Sequence, residues 1–257
     1  MSIQVGDFKQ PLEWDSGKNY KNHFSGVYLL PQRYYSHLMS DDALGLDEAY
    51  SVKTPEDNKR LYAKWAATYD SSFVDAKQYR YPKAISEVFD QVVIDPVTRV
   101  LDIGTGTGLT GMYLSRLRPS VVLDGMDISP EMLGQAKLKL RTDNNAVYRK
   151  LYERDLTRAV PNENAPYEAL ISSGTFTHGH LGPECLRNLL PLLANNGWLV
   201  VGVNNEHFEA KGFAGELESL VALGAIKQPE ILRIDVYEPG SVHHGDQARV
   251  IVTRAIS

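Results

Sequence analysis

The residues best suited to chemistry lie in one glycine-rich segment, VLDIGTGTGLTG, at positions 100–111. Gly104, Gly106 and Gly108 follow a short apolar run, at a place where a strand must turn sharply into a helix. Glycines at such a turn let the backbone approach a ligand closely, and the first N–H groups of the helix point toward an anionic part of that ligand. The segment therefore predicts a binding site for a nucleotide-like molecule.

Two cofactor classes compete for this loop. Gly106, Gly108 and Gly111 also satisfy the G-x-G-x-x-G spacing of dinucleotide-binding domains, so an NAD(P)-dependent oxidoreductase is one interpretation. Asp102 argues against it, because a carboxylate at the strand end repels a pyrophosphate and favours a cationic amino or sulfonium group. S-adenosylmethionine carries both cations, and its single carboxylate suits the helix N-terminus.

A second acid, Asp127, comes at the end of the next predicted strand. At that place a carboxylate can accept hydrogen bonds from both ribose hydroxyls, as either nucleotide would require. The two last apolar runs of the chain, ILRIDVY and ARVIVTR, are joined by a polar connection that contains glycine. They predict an antiparallel hairpin, which a plain dinucleotide domain does not need. Together with Asp102, this hairpin favours S-adenosylmethionine over NAD.

Three segments together resemble a known enzyme family. VLDIGTGTG resembles the glycine motif of class I S-adenosylmethionine-dependent methyltransferases, and MDISPEML resembles their acidic motif with the helix that follows it. RLYAKWAATYD resembles the segment that precedes the core in many of these enzymes, particularly in the Williams–Beuren-region methyltransferase-like family. The resemblance covers residues 56–257 and implies S-adenosylmethionine as the cofactor. A methyltransferase is the predicted function, and a non-catalytic S-adenosylmethionine-binding protein is a further alternative.

The resemblance also implies roles for individual residues. The glycine loop would hold the methionine part of the cofactor, Asp127 the ribose, and Ile128 and Met132 the adenine, whose amino group Asp155 would bind. Tyr69 would cover the cofactor from the preceding helix. The full set implied to bind the cofactor is Tyr69, Asp102, Gly104, Thr105, Gly106, Gly108, Asp127, Ile128, Met132, Asp155, Leu156, Ser172 and Ser173.

The acceptor is expected beside SSGTFTHGHLG, residues 172–182, which follows the fourth predicted strand. His178 is the candidate general base, because it titrates near neutral pH and follows the strand end where the methyl group should lie. Whether nitrogen, oxygen or sulfur accepts the methyl group stays open. The segment lacks the N/D-P-P-Y type motif of enzymes that methylate exocyclic or amide nitrogens, which argues against those substrates. The residues predicted to contact the acceptor are Thr175, His178, His180, Asn204 and His207, although a helix cap would equally explain Asn204.

Alternating strand and helix patterns must position these residues. From about residue 56 onward the hydrophobic period switches repeatedly between 2 and 3.6, which indicates βαβ units. The predicted fold is α/β, with a Rossmann-like doubly wound seven-stranded sheet that ends in the antiparallel hairpin. Residues 56–257 form the predicted class I methyltransferase domain. Residues 1–55 are rich in tyrosine without sustained periodicity, and they are predicted to be an extension that serves as a lid, a strap or an oligomer interface.

Composition narrows the predicted partners and location. The 27 Lys and Arg residues against 32 Asp and Glu give a net charge of −5, so no basic field attracts nucleic acid or anionic lipid. A small soluble metabolite is therefore the predicted acceptor, with no nucleic-acid and no membrane partner. Cys185 is the single cysteine, which favours a reducing compartment, the cytoplasm. No metal site is predicted, and the extension is a candidate interface for a homo-oligomer.

Overall fold

A seven-stranded sheet organises the described part of the chain. The computed structural model describes residues 54–70, 74, 77–161, 166–177 and 180–256. In chain order the strands are β1 (Arg99–Ile103), β2 (Val122–Asp127), β3 (Tyr148–Glu153), β4 (Tyr167–Phe176), β5 (Leu193–Asn204), β6 (Glu230–Asp235) and β7 (Gln247–Arg254). In space their order is β3-β2-β1-β4-β5-β7-β6.

The direction of the strands confirms the predicted fold class. Strands β1 to β5 pair in parallel, whereas β7 runs antiparallel to both β5 and β6. The last two strands therefore form the expected terminal hairpin, with β7 inserted between β5 and β6. Because β1, β2 and β4 are parallel neighbours or near neighbours, their carboxyl ends meet at one edge of the sheet, where ligands of such folds bind.

The helices connect these strands and cover the sheet. They are α1 (Pro55–Trp65), α2 (Tyr81–Val92), α3 (Leu109–Leu117), α4 (Pro130–Ala136), α5 (Cys185–Leu189), α6 (Asn205–Lys211) and α7 (Phe213–Ala222). Thr54 caps α1 in a capping box with Asp57, and Ser129 caps α4 by accepting from the backbone N–H of Met132. Both caps were expected from a polar residue followed by proline at the first helical position.

Strand β1 is buried on both of its faces, which fixes the start of the glycine loop. Val100 packs into one hydrophobic cluster with Leu114 and Leu123, and Leu101 packs into the cluster on the opposite face with Phe176. All of these side chains are fully buried. A strand covered on both sides reads as a continuous apolar run, as VLDI does apart from its acid. The loop that follows therefore leaves the sheet from a rigid base.

Two helices are shorter than the sequence predicts. The helix predicted from SPEMLGQAKLKLR ends at Ala136, because Leu138 and Leu140 are exposed by 70% and 51% and offer no buried face to extend it. The helix predicted from PECLRNLLPLLA ends at Leu189 and passes into a single 3₁₀ turn. Pro191 lacks the N–H that a continuing α-helix needs, so the chain enters β5 instead.

Some expectations concern residues outside this description. The predicted extension, residues 1–55, lies outside the described residues apart from Thr54 and the backbone of Pro55, so its role and the domain boundary stay predictions. Among the residues that are described, no helix has both the length and the apolar composition required to cross a membrane.

Candidate active site

A cleft of about 280 Å³ opens at the carboxyl ends of β1, β2 and β4. Its volume is close to the lower end of the range for small-molecule sites, about 300–1,000 Å³. The glycine loop forms its floor, and tyrosines from α1 and from the segments flanking it form one wall. Many predicted site residues line this cleft: Tyr69, Gly104, Thr105, Gly106, Asp127, Ile128, Met132, Asp155, Leu156, Ser173, Thr175 and His180.

The glycine loop has the backbone geometry that its sequence implies. Gly104, Gly106 and Gly108 have φ angles of +65°, +54° and +89°, which residues other than glycine rarely adopt. Thr105 fastens the loop to β2, since its N–H donates to the Met126 carbonyl oxygen at 2.9 Å. Its hydroxyl also donates to the Asp102 carbonyl oxygen at 3.0 Å. Thr105 and Gly108 therefore shape the loop through its backbone.

Asp127 joins the loop to the following helix. Its Oδ2 accepts from the N–H of Gly106 at 2.8 Å, and its Oδ1 accepts from the N–H of Ser129 at 2.9 Å. Burial raises the pKa of this carboxyl, and the backbone hydrogen bonds oppose that shift. Asp127 lines the cleft, so its carboxylate can also accept hydrogen bonds from a ribose.

The cleft has an apolar part next to Asp127, called here the adenine recess. Ile128, Met132 and Leu156 line it, and Met132 and Leu156 are buried. Asp155 lies at its edge, where Oδ1 accepts from the N–H and the hydroxyl of Thr157 at 3.0 and 2.6 Å. These local bonds hold the turn, and the contact between Asp155 and an adenine amino group stays a prediction.

Asp102 does not line the cleft, contrary to the predicted contact with the methionine part. It is fully buried beneath the glycine loop, on the opposite face of β1 from Leu101 and Ile103. Its Oδ2 accepts from the Tyr148 hydroxyl at 2.6 Å. The spacing to the glycines located Asp102 at the strand end correctly, but the alternation of side chains along β1 turns it away from the cleft.

Three other residues predicted to contact the cofactor or the acceptor do not line the cleft either. Ser172 is buried, does not line the cleft, and donates its hydroxyl to the Ile103 carbonyl oxygen at 2.8 Å. Asn204 caps α6, accepting at Oδ1 from the N–H of His207 at 3.1 Å. His207 is buried beside the Leu181 carbonyl oxygen, 2.9 Å from its Nε2. Asn204 and His207 therefore serve the start of α6, as the helix-cap alternative for Asn204 predicted.

Of the two histidines that follow β4, His180 lies among the described residues, and His178, the candidate base, does not. His180 lines the cleft, with its ring edge-on to Tyr62 at 5.7 Å between centroids. Its Nε2 is buried without a hydrogen-bond partner among the described residues. Burial, together with His207 nearby, lowers the pKa of His180 to about 4, so this imidazole is neutral at physiological pH.

Sequence reasoning missed several residues of the cleft wall. Tyr62 and Tyr79 line it, and Thr107 donates its hydroxyl to Asp70 Oδ1 at 2.6 Å. Asp70 also pairs with the ammonium of Lys139. Tyr62 precedes Tyr69 by seven residues, about two helical turns, so helical periodicity offered a signal for Tyr62. Asp70 is the last residue of RLYAKWAATYD, directly after Tyr69. The hydrogen bond between Thr107 and Asp70 links the segment after α1 to the glycine loop.

Within the described residues, no three metal-binding side chains come together. What the cleft offers instead is backbone N–H groups, two acids near the loop, small hydroxyls and aromatic rings. This donor and acceptor set suits an adenosyl cofactor whose ribose contacts an acid and whose methionine part lies over a glycine loop. It would suit a pyrophosphate less, because Asp127 already occupies the N–H of Gly106.

The core of this chain is similar to known methyltransferases. Residues 101–199 match the family described as "Methyltransferase domain". The tRNA1(Val) (adenine(37)-N6)-methyltransferase of Parabacteroides distasonis is 33% identical over 92 residues, 35% of this chain and 38% of that protein. The enzyme of the same name from Citrobacter koseri is 31% identical over 90 residues, 35% of this chain and 36% of that protein. The matches thus span little more than a third of these curated relatives.

Among solved structures, the plantazolicin methyltransferase BpumL in complex with a triazolic desmethylPZN analog and SAH has a similar fold. The likeness covers 79% of this chain and 100% of that one, with a TM-score of 0.50 and 15% identity. At this identity the comparison bears on the fold alone.

The comparisons correct the predicted substrate class. The curated relatives are named as tRNA methyltransferases, which contradicts the prediction of a small soluble acceptor without a nucleic-acid partner. That prediction relied on net charge, which sums over the whole chain, whereas nucleic acid is bound by a local surface. The oxidoreductase alternative is also excluded by the matched family. Residues 101–199 match a methyltransferase-domain family, and the described part of the chain has the seven-stranded mixed sheet of the class I methyltransferase fold.

Proposed function

We propose that this protein is an S-adenosylmethionine-dependent methyltransferase that modifies a nucleic acid, and that an adenine base of RNA is the first acceptor to test. The observation that carries the cofactor assignment is the cleft in which Asp127 joins the glycine loop to α4. The names of the curated relatives support the substrate class.

The residues on either side of the glycine loop would hold the cofactor. Asp127 would accept from the ribose, while Ile128, Met132 and Leu156 would enclose the adenine. The N–H groups at the start of α3 would face the carboxylate of the methionine part. S-adenosylmethionine supplies an activated methyl group on a sulfonium. The protein's contribution is to align donor and acceptor, and such positioning alone is worth about 7–11 kcal/mol in well-oriented reactions.

The aromatic wall of the cleft supports a planar acceptor. Tyr62, Tyr69 and Tyr79 line the cleft, and aromatic rings in such a wall offer faces on which a base can stack. Enzymes that act on a base extrude it from its stack into such a pocket. Ser173 and Thr175 stand at the end of β4, where they provide small hydroxyls in place of an N/D-P-P-Y motif.

The two histidines keep their predicted roles in this proposal. Methylation of an exocyclic amine forms a nitrogen–carbon bond as the sulfur–carbon bond breaks, and the nitrogen then releases a proton. His178 remains the candidate to accept that proton. His180, a neutral ring in the cleft wall, would help to orient the acceptor by accepting or donating one hydrogen bond.

A local basic surface supports contact with a phosphate backbone. Residues 137–158 contain seven Lys or Arg residues against three Asp or Glu residues, in a chain whose overall charge is −5. This stretch includes β3, the edge strand next to the adenosine side of the cleft. Lys137, Arg149, Lys150 and Arg158 are exposed. Such cations give sequence-independent, salt-sensitive attraction to nucleic acid.

The proposal also covers the enzyme family, the location and the oligomeric state. The resemblance to the Williams–Beuren-region methyltransferase-like family rests on RLYAKWAATYD, and the position of Tyr69 against the cleft supports it. A cytoplasmic location agrees with an RNA acceptor and with the single Cys185. An oligomer formed through residues 1–55 stays a prediction.

The cofactor is tested by thermal unfolding with S-adenosylmethionine, S-adenosylhomocysteine and NAD in parallel. A ligand at 100 times its dissociation constant stabilises a protein by ~2.7 kcal/mol. For a chain of this size that is a rise in Tm of roughly 5–10 °C. We expect this rise with the two adenosyl ligands and none with NAD, and a rise with NAD alone would refute the cofactor assignment.

The acceptor is tested by transfer of a labelled methyl group to unmodified tRNA, with DNA oligonucleotides of matched length in parallel. We expect label in tRNA, and nucleoside mass spectrometry should then find it on adenine. An Asp127→Ala variant, which should bind the cofactor poorly, is the control for contaminating activity. Cofactor binding without label in any nucleic acid would reject the substrate class and favour a non-catalytic binding protein.

The aromatic wall gives a separate prediction. Tyr62→Ala should lower kcat/KM for RNA by about 10-fold or more, because stacking of a base on an aromatic ring contributes about 1–3 kcal/mol. Affinity for S-adenosylmethionine should change less than about threefold. Tyr113→Ala is the matched control, since Tyr113 lies on α3 outside the cleft and packs under Arg116. Equal effects of the two substitutions would show that Tyr62 does not contact the acceptor.

A further inference from the structure

A buried pair of polar side chains lies beneath the glycine loop. Asp102 is the penultimate residue of β1, and Tyr148 is the first residue of β3. The two strands are not adjacent in the sheet, because β2 lies between them. The Tyr148 hydroxyl donates to Asp102 Oδ2 at 2.6 Å and accepts from the N–H of Gly111 at 3.1 Å. The phenol therefore links the strand-end acid to the first turn of α3.

Tyr148 also explains two of the loop glycines by contact. A Cβ at Gly111 would overlap the Tyr148 hydroxyl, and a Cβ at Gly108 would come within 3.0 Å of its ring. The ring thus fills the space under the start of α3, and only glycine leaves room for it. Tyr148 is buried at 6% exposure, so it has little freedom to move away.

The second oxygen of Asp102 is left for another partner. Oδ1 is buried and has no hydrogen-bond partner among the described residues, so this carboxylate is held by one side chain only. An acceptor buried without a partner costs about 1–3 kcal/mol, and more when it is charged. Asp102 lies two residues before Gly104, and Gly104, Thr105 and Gly106 line the cleft, so this buried charge lies next to the loop that would hold the cofactor.

We propose that Tyr148 is a positioning residue for cofactor binding, which holds the start of α3 against β1 and keeps Asp102 an anion beneath the site of the cationic methionine part. This inference rests on the proposed function, since it assigns the means by which the same cleft favours a positively charged ligand. It also replaces the direct contact predicted for Asp102 with an action through the loop.

The charge of Asp102 depends on the groups around it. Burial raises the pKa of the Asp102 carboxyl to about 7, the hydrogen bond from Tyr148 lowers it, and the nearby charge of Asp127 raises it. Among the described residues, Tyr148 and Asp127 are the titratable groups that act on the Asp102 carboxyl. Since a cationic ligand favours the ionised acid, affinity should fall as the pH decreases through this value. Losing the Tyr148 hydroxyl should move that fall to higher pH.

The test compares Tyr148→Phe with the wild type and with Asp102→Asn between pH 5.5 and pH 8.5, which spans the range around the Asp102 pKa. Affinity for S-adenosylmethionine in the wild type should fall about fivefold or more across this range. In Tyr148→Phe the same fall should begin at higher pH, and in Asp102→Asn it should be nearly absent. S-adenosylhomocysteine, which lacks the sulfonium charge, should show a smaller change in every protein. Asp127, which would contact both ligands alike, cannot produce that difference.

Tyr152→Phe is the matched control, because Tyr152 lies on the same strand but does not line the cleft. It should leave the pH profile unchanged. A Tyr148→Phe profile identical to that of the wild type would overturn the inference while leaving the cofactor assignment intact.

A second measurement does not depend on any ligand. Amide hydrogen exchange at Gly111 should be about fivefold faster in Tyr148→Phe, because its N–H loses the Tyr148 hydroxyl as an acceptor. One hydrogen bond is worth about 1 kcal/mol. If neither adenosyl ligand binds the wild type, the proposed function fails, and unchanged exchange at Gly111 then also rejects the positioning role. Circular dichroism confirms that each variant is folded before either experiment is interpreted.

Discussion

Replacing Asp127 with alanine is expected to weaken binding of S-adenosylmethionine and S-adenosylhomocysteine by about 100-fold or more. The carboxylate would accept from the ribose, and it also holds the N–H groups of Gly106 and Ser129 on either side of the cleft. Hydrogen bonds to a charged group contribute about 1.5–3 kcal/mol each. Loss of two such bonds corresponds to a factor of about 100 or more, which isothermal titration calorimetry can measure.

Two further variants isolate the cause of this loss. Asp127→Asn keeps one oxygen acceptor, but its amide N–H₂ would face the N–H of either Gly106 or Ser129, so binding should be intermediate. Asp155→Ala removes the acid on the other side of the adenine recess, whose bonds are to Thr157 in its own turn, and should cost less than about tenfold. An Asp127→Ala protein that binds within threefold of the wild type would disprove the ribose assignment.

The fold could be predicted from sequence because its signals are local and periodic. An apolar run that ends in glycine predicts strand β1. A capping residue followed by proline predicts the start of α1 and of α4. The terminal hairpin follows from two alternating runs without a helix between them. The insertion of β7 between β5 and β6 was not predicted, since pairing order depends on contacts between residues far apart in the chain.

The site was predicted less well because a motif gives the position of a residue but not its direction. Asp102 and Ser172 both occur near strand ends at the correct edge, yet both side chains point into the protein rather than into the cleft. Asn204 and His207 lie at or just beyond the end of β5, but Asn204 caps α6 and His207 contacts the Leu181 carbonyl oxygen. Tyr62 was missed because an aromatic residue on an amphipathic helix reads equally as core.

The substrate class failed for a different physical reason. A net charge of −5 averages over the chain, and it conceals the surplus of cations in residues 137–158. The missing N/D-P-P-Y motif removed one way of holding an exocyclic nitrogen, but a hydroxyl, a backbone group or a neutral imidazole can form the same hydrogen bonds. Ser173, Thr175 and His180 provide such groups in this cleft.

Gly104→Ala is expected to destabilise the protein by about 2–5 kcal/mol and to abolish measurable cofactor binding. The residue has a φ of +65°, and a Cβ there would overlap the Thr175 hydroxyl, which donates to the Ile103 carbonyl oxygen at 3.0 Å. Strain in this backbone region costs about 1–2 kcal/mol, and overpacking adds about 1–3 kcal/mol. Gly106→Ala is the matched control, because Gly106 has a φ of +54° but nothing within 4 Å of its Cβ position.

The comparison between these two glycines separates backbone strain from steric overlap. Gly106→Ala should cost only about 1–2 kcal/mol in chemical denaturation, since it carries the strain alone. Adding Thr175→Ala to Gly104→Ala should restore part of the lost stability, because it removes the overlapping hydroxyl and methyl groups. The double-mutant cycle should then give a coupling of about 1 kcal/mol or more. Equal costs for the two glycine substitutions, or a cycle without coupling, would mean that the end of β4 does not set the width of the cleft above the glycine loop.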